Sequence, residues 1–443
     1  MNSSYADSLL KKINAREARV GVIGLGYVGL PLALTFAEQG FPTLGFDTDP
    51  VKVDSITRGK SYISYVPHAR LQEASARFSA SCDFARLAEA DAILVCVPTP
   101  LTPQSDPDLS YVEQTAQAVK ATLRPGQLIV LESTTYPGTT DELVRGILEN
   151  DQLRCGRDFF LAFSPEREDP GNASFSTRTI PKVVGGVDEA AGRLAVSLYE
   201  KAFSQVVPVS SARVAEAVKL TENVFRAVNI ALVNELKTTY DRMGIDVWEV
   251  LEAASTKPFG FMRFNPGPGL GGHCIPLDPF YLSWKAREFG VTMRFIELAG
   301  EINVAMPRWV VGKVQTALNG LGKPLKGSRI LLLGIAYKKN VADTRESPAL
   351  EIMALLEQQG ANVEYHDPMV PKVPMTRHSP KLAGRPSVRM DEKTLGAFDA
   401  ALVVTDHDAV DYELLARIVP LVVDCRGVYR QRFPALAPKI VSA

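Results

Sequence analysis

A lone cysteine, Cys274, lies in the stretch GLGGHCIPLDP (residues 269–279), among three glycines and just ahead of an aspartate–proline pair. Asp278 and Pro279 are suited to the N-cap and first position of a helix through YLSWKARE. The positive end of a helix lowers the pKa of a nearby thiol and raises its thiolate fraction. The glycines leave room for a substrate to approach it. The other role open to Cys274 is that of a small buried hydrophobe, and capping alone is a sufficient role for Asp278. His273, Cys274 and Asp278 do not have a zinc-ligand spacing, so no metal is expected.

Three other groups could work beside a thiol. Lys219 and Asn223 are four residues apart and share one face of an expected helix. Glu216 and Arg226 extend the same polar stripe, which could equally be a solvated helix face. Glu166, in SPEREDPGN, follows an expected strand end, where parallel sheets place their ligands.

A fourth feature binds rather than reacts. Gly24, Gly26 and Gly29 spell GxGxxG, with Tyr27 and Val28 inside the turn. The first glycine permits a tight turn, the second lets a diphosphate approach the backbone, and the third lets helix and strand pack closely. Asp47 ends the next strand, where it can accept hydrogen bonds from a ribose diol and repel a 2′-phosphate. NAD is therefore expected rather than NADP, with Lys52 beside the same pocket.

These groups need a scaffold, and the hydrophobic pattern supplies one. Runs RVGVIG (19–24), FPTLGFD (41–47), DAILVCV (91–97), GQLIVLE (126–132), FFLAFS (159–164), PKVVGG (181–186) and QVVPV (205–209) read as buried strands separated by helical lengths. From Ser211 to Met243 there is neither glycine nor proline, which predicts one helix about 50 Å long. Such a helix bridges domains or pairs with a symmetry mate. After GKPLKGSR the strand–helix grammar resumes with RILLLG (329–334), ANVEYHD (361–367), DAALVVT (399–405) and PLVVD (420–424). The expected fold is α/β, with two Rossmann-like, doubly wound parallel-sheet domains (1–210 and 321–443) joined by a helical middle domain (211–320).

Composition narrows the function classes. The chain has 443 residues, 46% of them hydrophobic, and a net charge of −1, so no global field holds nucleic acid or an anionic membrane. No run has membrane-span length, and the N-terminus lacks a signal-peptide core. Five widely spaced cysteines without a CxxC pair argue against a disulfide framework. A cytoplasmic setting is expected, with anionic ligands held by local groups.

Taken together, GVIGLGYVGLPLA, CVPTP (96–100), ESTTYPGT (132–139), FSPERED, AEAVKLTENVFRAVNIALVNEL (215–236), PGPGLGGHCIPLDP and AYKKNVADTRESP (336–348) resemble the UDP-glucose/GDP-mannose dehydrogenase family over nearly the whole chain. The form GGHCIPLDPFYLSWKA looks like members acting on UDP-N-acetylhexosamines, UDP-N-acetylglucosamine above all. UDP-glucose members more often read GGSCFPKD, and the lysine of that motif is Leu277 here. The resemblance implies a four-electron oxidation of a sugar C6 alcohol to a carboxylate with two NAD.

It assigns Cys274 as nucleophile, Lys219 and Asn223 to the oxyanion, Glu166 as general acid/base, and Thr134 and Asp278 to a water. It also places Thr99, Thr134 and Arg345 near the cofactor, and Lys338 and Gly271 at the UDP-sugar. A substrate arginine of UDP-glucose members falls at Pro258 here, leaving Arg263 as the nearest cation. UDP-N-acetylmannosamine, UDP-N-acetylgalactosamine and UDP-glucose are alternative substrates. A β-hydroxyacid dehydrogenase or a non-catalytic dinucleotide-binding protein are alternative functions. The long helix suggests a homodimer or higher homo-oligomer.

Overall fold

The computed structural model describes residues 4–63, 65–102, 106–167, 178–272, 275–376 and 379–443. The chain divides into two compact units, Met1–Glu222 with Phe280–Thr292, and Asn223–Pro279 with Met293–Ala443.

Among its described residues, the first unit holds a sheet of eight strands: β1 (Val20–Ile23), β2 (Thr43–Phe46), β3 (Phe78–Ser81), β4 (Ala92–Val95), β5 (Leu128–Leu131), β6 (Phe160–Phe163), β7 (Lys182–Gly186) and β8 (Val206–Val209). Their order is 3-2-1-4-5-6-7-8. Every residue of β1, β2, β4, β5 and β6 is buried, as expected of strands covered on both faces. Helix Gly29–Glu38 packs its apolar side chains into this core.

The alternation misjudged three details. β7 runs antiparallel to β6. β8, expected to be buried, is a partly exposed edge strand, where Pro208 can sit without a missing ladder donor. β3 went unseen because FSAS is short, serine-rich and only partly buried.

The long helix spans Ala212–Met243 and ends at Gly244, whose φ of +71° suits a helix stop. In the second unit the described strands are β9 (Arg329–Leu333), β10 (Asn362–His366), β11 (Ala400–Val403), β12 (Val422–Asp424) and β13 (Val441–Ser442). They pair in parallel in the order 10-9-11-12-13. Val310, Val314 and Leu318 of helix Arg294–Gly320 share one apolar cluster with Ile330 and Leu332 of β9 and with Leu350 and Met353. The helices between the two sheets thus divide between the units, the greater part joining the second. Among the described residues no helix is long and apolar enough to cross a membrane.

Candidate active site

β1 delivers the chain into the glycine turn. Gly24 has φ +87°, and a Cβ there would meet the Cys96 carbonyl oxygen at 2.5 Å. A Cβ at Gly29 would stand 1.8 Å from the Gly24 carbonyl oxygen, whereas one at Gly26 would meet nothing within 4 Å. Gly24 and Gly29 therefore build the turn, and Gly26 leaves open space over it. Helix Gly29–Glu38 has no side-chain cap and no acid in its first turn; the Gly26 carbonyl takes the Leu30 N–H and Pro31 has none, which leaves the Gly29 N–H at the helix end to face an anion. Tyr65 donates its hydroxyl to the Tyr27 carbonyl at 2.6 Å, and the two rings stack.

Asp47, following β2, accepts from Leu25 N–H (2.9 Å), Asp49 N–H (2.9 Å) and Lys52 Nζ (3.0 Å). Lys52 thus bonds the acid itself. These residues fit a dinucleotide: open backbone at Gly26, an uncapped helix end, and a carboxylate at the end of the second strand.

The ends of β4 and β5 bring up two more expected residues. Thr99 is buried, and its carbonyl accepts the Tyr281 hydroxyl at 2.8 Å. Thr134 is half-buried in the turn after β5, beside Ser133, whose hydroxyl donates to the Val97 carbonyl at 2.8 Å. Glu216 anchors this turn from the long helix. It accepts from Gly138 N–H (2.6 Å), Thr140 N–H (2.9 Å) and Thr140 Oγ1 (2.7 Å).

Glu216 is fully buried, so the polar stripe splits: Arg226 is exposed, but Glu216 is not solvated. Burial pushes its pKa up to about 7, against the hydrogen bonds from Thr140 and Gly138. The spacing could not separate a solvated glutamate from one holding a turn distant in sequence.

Lys219, one turn further along, is only 9% exposed, and among the described residues its ammonium has no hydrogen-bond or ion-pair partner. Such a group is costly to bury, and a developing negative charge would satisfy it. Four residues on, Asn223 donates Nδ2 to Asp278 Oδ2 at 2.6 Å, with both side chains buried. Helix Asp278–Glu288 begins at Asp278 itself, one residue earlier than the expected cap would have it.

Glu166 follows β6. Its Oε1 accepts the Arg167 N–H at 2.7 Å and its Oε2 lies 3.3 Å from Lys182 Nζ. Lys182 was overlooked in the sequence. The available signal was a charge opening the otherwise apolar run PKVVGG.

In the second unit the glycine-rich loop leans on the turn after β9. A Cβ at Gly271 would meet Tyr337 Cβ at 2.6 Å, and Gly272 N–H donates to the Arg345 carbonyl at 3.0 Å. Upstream, Gly267 N–H donates to Asn234 Oδ1 (2.9 Å), and Asn234 Nδ2 to Asn303 Oδ1 (2.8 Å). Cys274 and His273 lie outside the described residues. Lys338 is half-buried in the β9 turn, and Arg345 is exposed and ion-paired with Asp343 at 2.7 Å. Arg263 is exposed, its Nε donating to Asn265 Oδ1 at 3.0 Å. Among the described residues no three His, Cys, Asp or Glu side chains form a metal cluster.

The UDP-glucose/GDP-mannose dehydrogenase family matches through its NAD binding domain at residues 18–203, its central domain at 213–305 and its UDP binding domain at 331–431. The chain is 35% identical to UDP-N-acetyl-D-glucosamine 6-dehydrogenase of Pseudomonas aeruginosa, covering 88% of this chain and 91% of that protein. It is 34% identical to NDP-N-acetyl-D-galactosaminuronic acid dehydrogenase of Ralstonia solanacearum, covering 93% and 96%. Among solved structures, a UDP-D-ManNAc dehydrogenase from Pyrococcus horikoshii superposes with a TM-score of 0.82 at 32% identity, covering 93% of this chain and 96% of that one.

Proposed function

The chain belongs to the UDP-glucose/GDP-mannose dehydrogenase family of NAD-dependent oxidoreductases, and from that premise we propose that it converts UDP-N-acetyl-D-glucosamine to its uronic acid. The GGHCIPLDP form of the cysteine motif supports this substrate, which is also the one named for the Pseudomonas aeruginosa relative. The observation that carries the chemistry is Lys219, a buried ammonium without a partner among the described residues.

Bound NAD accepts the hydride at each of the two oxidations. Gly24, Gly26, Tyr27, Val28 and Gly29 hold its diphosphate and Asp47 its adenosine ribose, with Thr99, Thr134 and Arg345 completing the cofactor contacts. The Cys274 thiolate adds to the C6 aldehyde, and the oxygen takes a proton to give a thiohemiacetal. Loss of hydride from that carbon and of the proton from its oxygen leaves a thioester. Water then adds, the thiolate departs, and a carboxylate remains.

Lys219 offsets the negative charge that builds on the C6 oxygen, and Asn223 adds a hydrogen bond. Glu166 moves the protons as general acid/base, while Asp278 and Thr134 order the water. Lys338, Gly271 and Arg263 hold the UDP-sugar.

A panel of UDP-N-acetylglucosamine, -mannosamine, -galactosamine and UDP-glucose, assayed by NADH release, tests the substrate. UDP-N-acetylglucosamine should lead in kcat/KM and yield two NADH per sugar; one NADH per sugar would rule out the four-electron scheme. Cys274→Ser should abolish uronate formation.

We also infer a homodimer, supported by Phe225 and Leu232 of the long helix and Phe295, Leu298 and Val304 of helix Arg294–Gly320, all exposed and apolar. Sedimentation at micromolar concentration tests it, and a monomer there would overturn it.

A further inference from the structure

In the first unit, ionisable side chains meet at the carboxyl edge of the sheet with no assigned role. Lys182 opens β7 and is only 2% exposed. Its ammonium donates to Glu132 Oε2 at 2.5 Å, to the Pro165 carbonyl at 3.2 Å and to Glu166 Oε2 at 3.3 Å. All three of its hydrogens are therefore committed. Glu132, just past β5, is fully buried, and its other oxygen accepts the hydroxyl of Tyr199 from helix Glu189–Glu200. The rings of Tyr199 and Phe203 lie 5.5 and 5.6 Å from the ammonium. The Cys96 thiol, after β4, faces the same three charges. The Arg167 guanidinium is turned to Glu222 and to the Pro181 carbonyl.

A buried ammonium needs pairing, and Glu132 alone would supply it. The bond to Glu166 is additional. It ties a carboxylate that is 14% exposed to a cation embedded in a strand. One ammonium shared by two carboxylates favours charge on the more solvated one, and burial raises the Glu132 pKa to about 6.

We propose that Lys182 is the positioning residue for Glu166, holding that side chain ionised and in a single orientation, with Glu132 competing for the same cation. The inference rests on the reading of Glu166 as general acid/base. It makes Lys182 part of the reaction without contact to sugar or cofactor.

The test is the pH profile of kcat. Turnover that needs ionised Glu166 falls on the acid limb as that group takes up a proton. Removing Glu132's negative charge eases ionisation of Glu166, so Glu132→Gln should move the acid limb down by about half a pH unit. Lys182→Met alone would strand a buried carboxylate, so it is combined with Glu132→Gln. That double variant should move the limb up by about one pH unit, so that kcat falls about tenfold at pH values on the limb itself, with the plateau above it lowered only by the lost orientation. KM for the UDP-sugar and the affinity for NAD should stay unchanged, and Lys182→Arg should keep the wild-type limb.

Shifts of opposite sign support the inference, since a merely structural lysine would lower activity without moving the limb. Glu166→Gln should be slow. If Glu166→Gln is slow but neither variant moves the limb, Lys182 has no such role, and the reading of Glu166 survives. If Glu166→Gln turns over at the wild-type rate, that reading fails and the inference falls with it. If the double variant does not bind NAD, the direction of the Glu132→Gln limb decides.

Discussion

The two sheets open with nearly the same four residues. After β1 come Gly24, Leu25, Gly26 and Tyr27; after β9 come Gly334, Ile335, Ala336 and Tyr337. Both first glycines have positive φ (+87° and +81°) and bond back to the neighbouring strand, Gly24 N–H to Phe46 and Gly334 N–H to His366. In both, the carboxylate after the second strand accepts the next N–H, Asp47 from Leu25 and Asp367 from Ile335. Beyond that the turns diverge.

Asp47 accepts two backbone N–H groups and a partly exposed lysine. Asp367 accepts four, from Ile335, Ala336, Met369 and Val370, and lies 3.2 Å from the buried His407 ring. His407 Nδ1 accepts the Asn340 N–H, so Nε2 carries the hydrogen that faces Asp367. No ribose can reach a carboxylate enclosed in this way.

Where Gly26 leaves open space, Ala336 is buried; where Gly29 opens a helix, Lys339 extends the loop and pairs with Asp408. The next helix waits until Pro348, and Ser347 caps it. One strand–turn grammar thus yields a dinucleotide seat in the first unit. In the second it yields a braced loop presenting lysine, suited to the UDP binding domain it matches.

The largest expected effect comes from closing the first turn. Gly29→Ala puts a methyl 1.8 Å from a carbonyl oxygen, and relieving that clash costs about 3 kcal/mol. NAD affinity, measured by calorimetry, should fall about a hundredfold. Next come the paired acids. Asp367→Asn sets an amide against four buried N–H donors and should lower stability by about 3 kcal/mol in urea unfolding. Asp47→Asn should instead weaken NAD by about tenfold while changing stability by about 1 kcal/mol or less. The reverse pattern would mean that the roles of the two acids are exchanged.

A smaller effect separates the units by pH. The Glu216 pKa is raised from 4.5 to about 7 by burial, so the fold favours its protonated form. Its stabilising contribution is full below about pH 4.5 and lost as pH rises through about 7. For Asp367, burial opposes ionisation, but the bonds from His407 and the backbone outweigh it and lower the pKa. That contribution is present above the ordinary carboxylate range and lost as pH falls through the lowered value. Tm profiles of Glu216→Gln and wild type should diverge between about pH 4.5 and pH 7, the variant losing the decline. The smallest effect is expected from Ala336→Gly. Titration should still give one NAD per chain, because Asp367 stays enclosed and the helix stays capped; a second NAD would undo the contrast.

Much of this was legible in the linear order of residues. Periodicity placed the main strands and the long helix, because buried parallel strands are short continuous apolar runs and a helix without glycine or proline has no internal stop. The GxGxxG turn and Asp47 were readable because their spacing is local. Edge strands such as β3 and β8 were harder, since partial exposure blurs their pattern.

The residue types and local spacings alone determined the fold class, the cofactor seat and four candidates for the chemistry, Cys274, Lys219, Asn223 and Glu166. Only the tertiary structure decided that Glu216 is a buried anchor, that Lys182 serves two carboxylates and that Asp367 is closed to ligand. Those outcomes depend on groups from 16 to 78 positions away in the chain, and burial and pairing between such separated segments leave no periodic trace in the sequence.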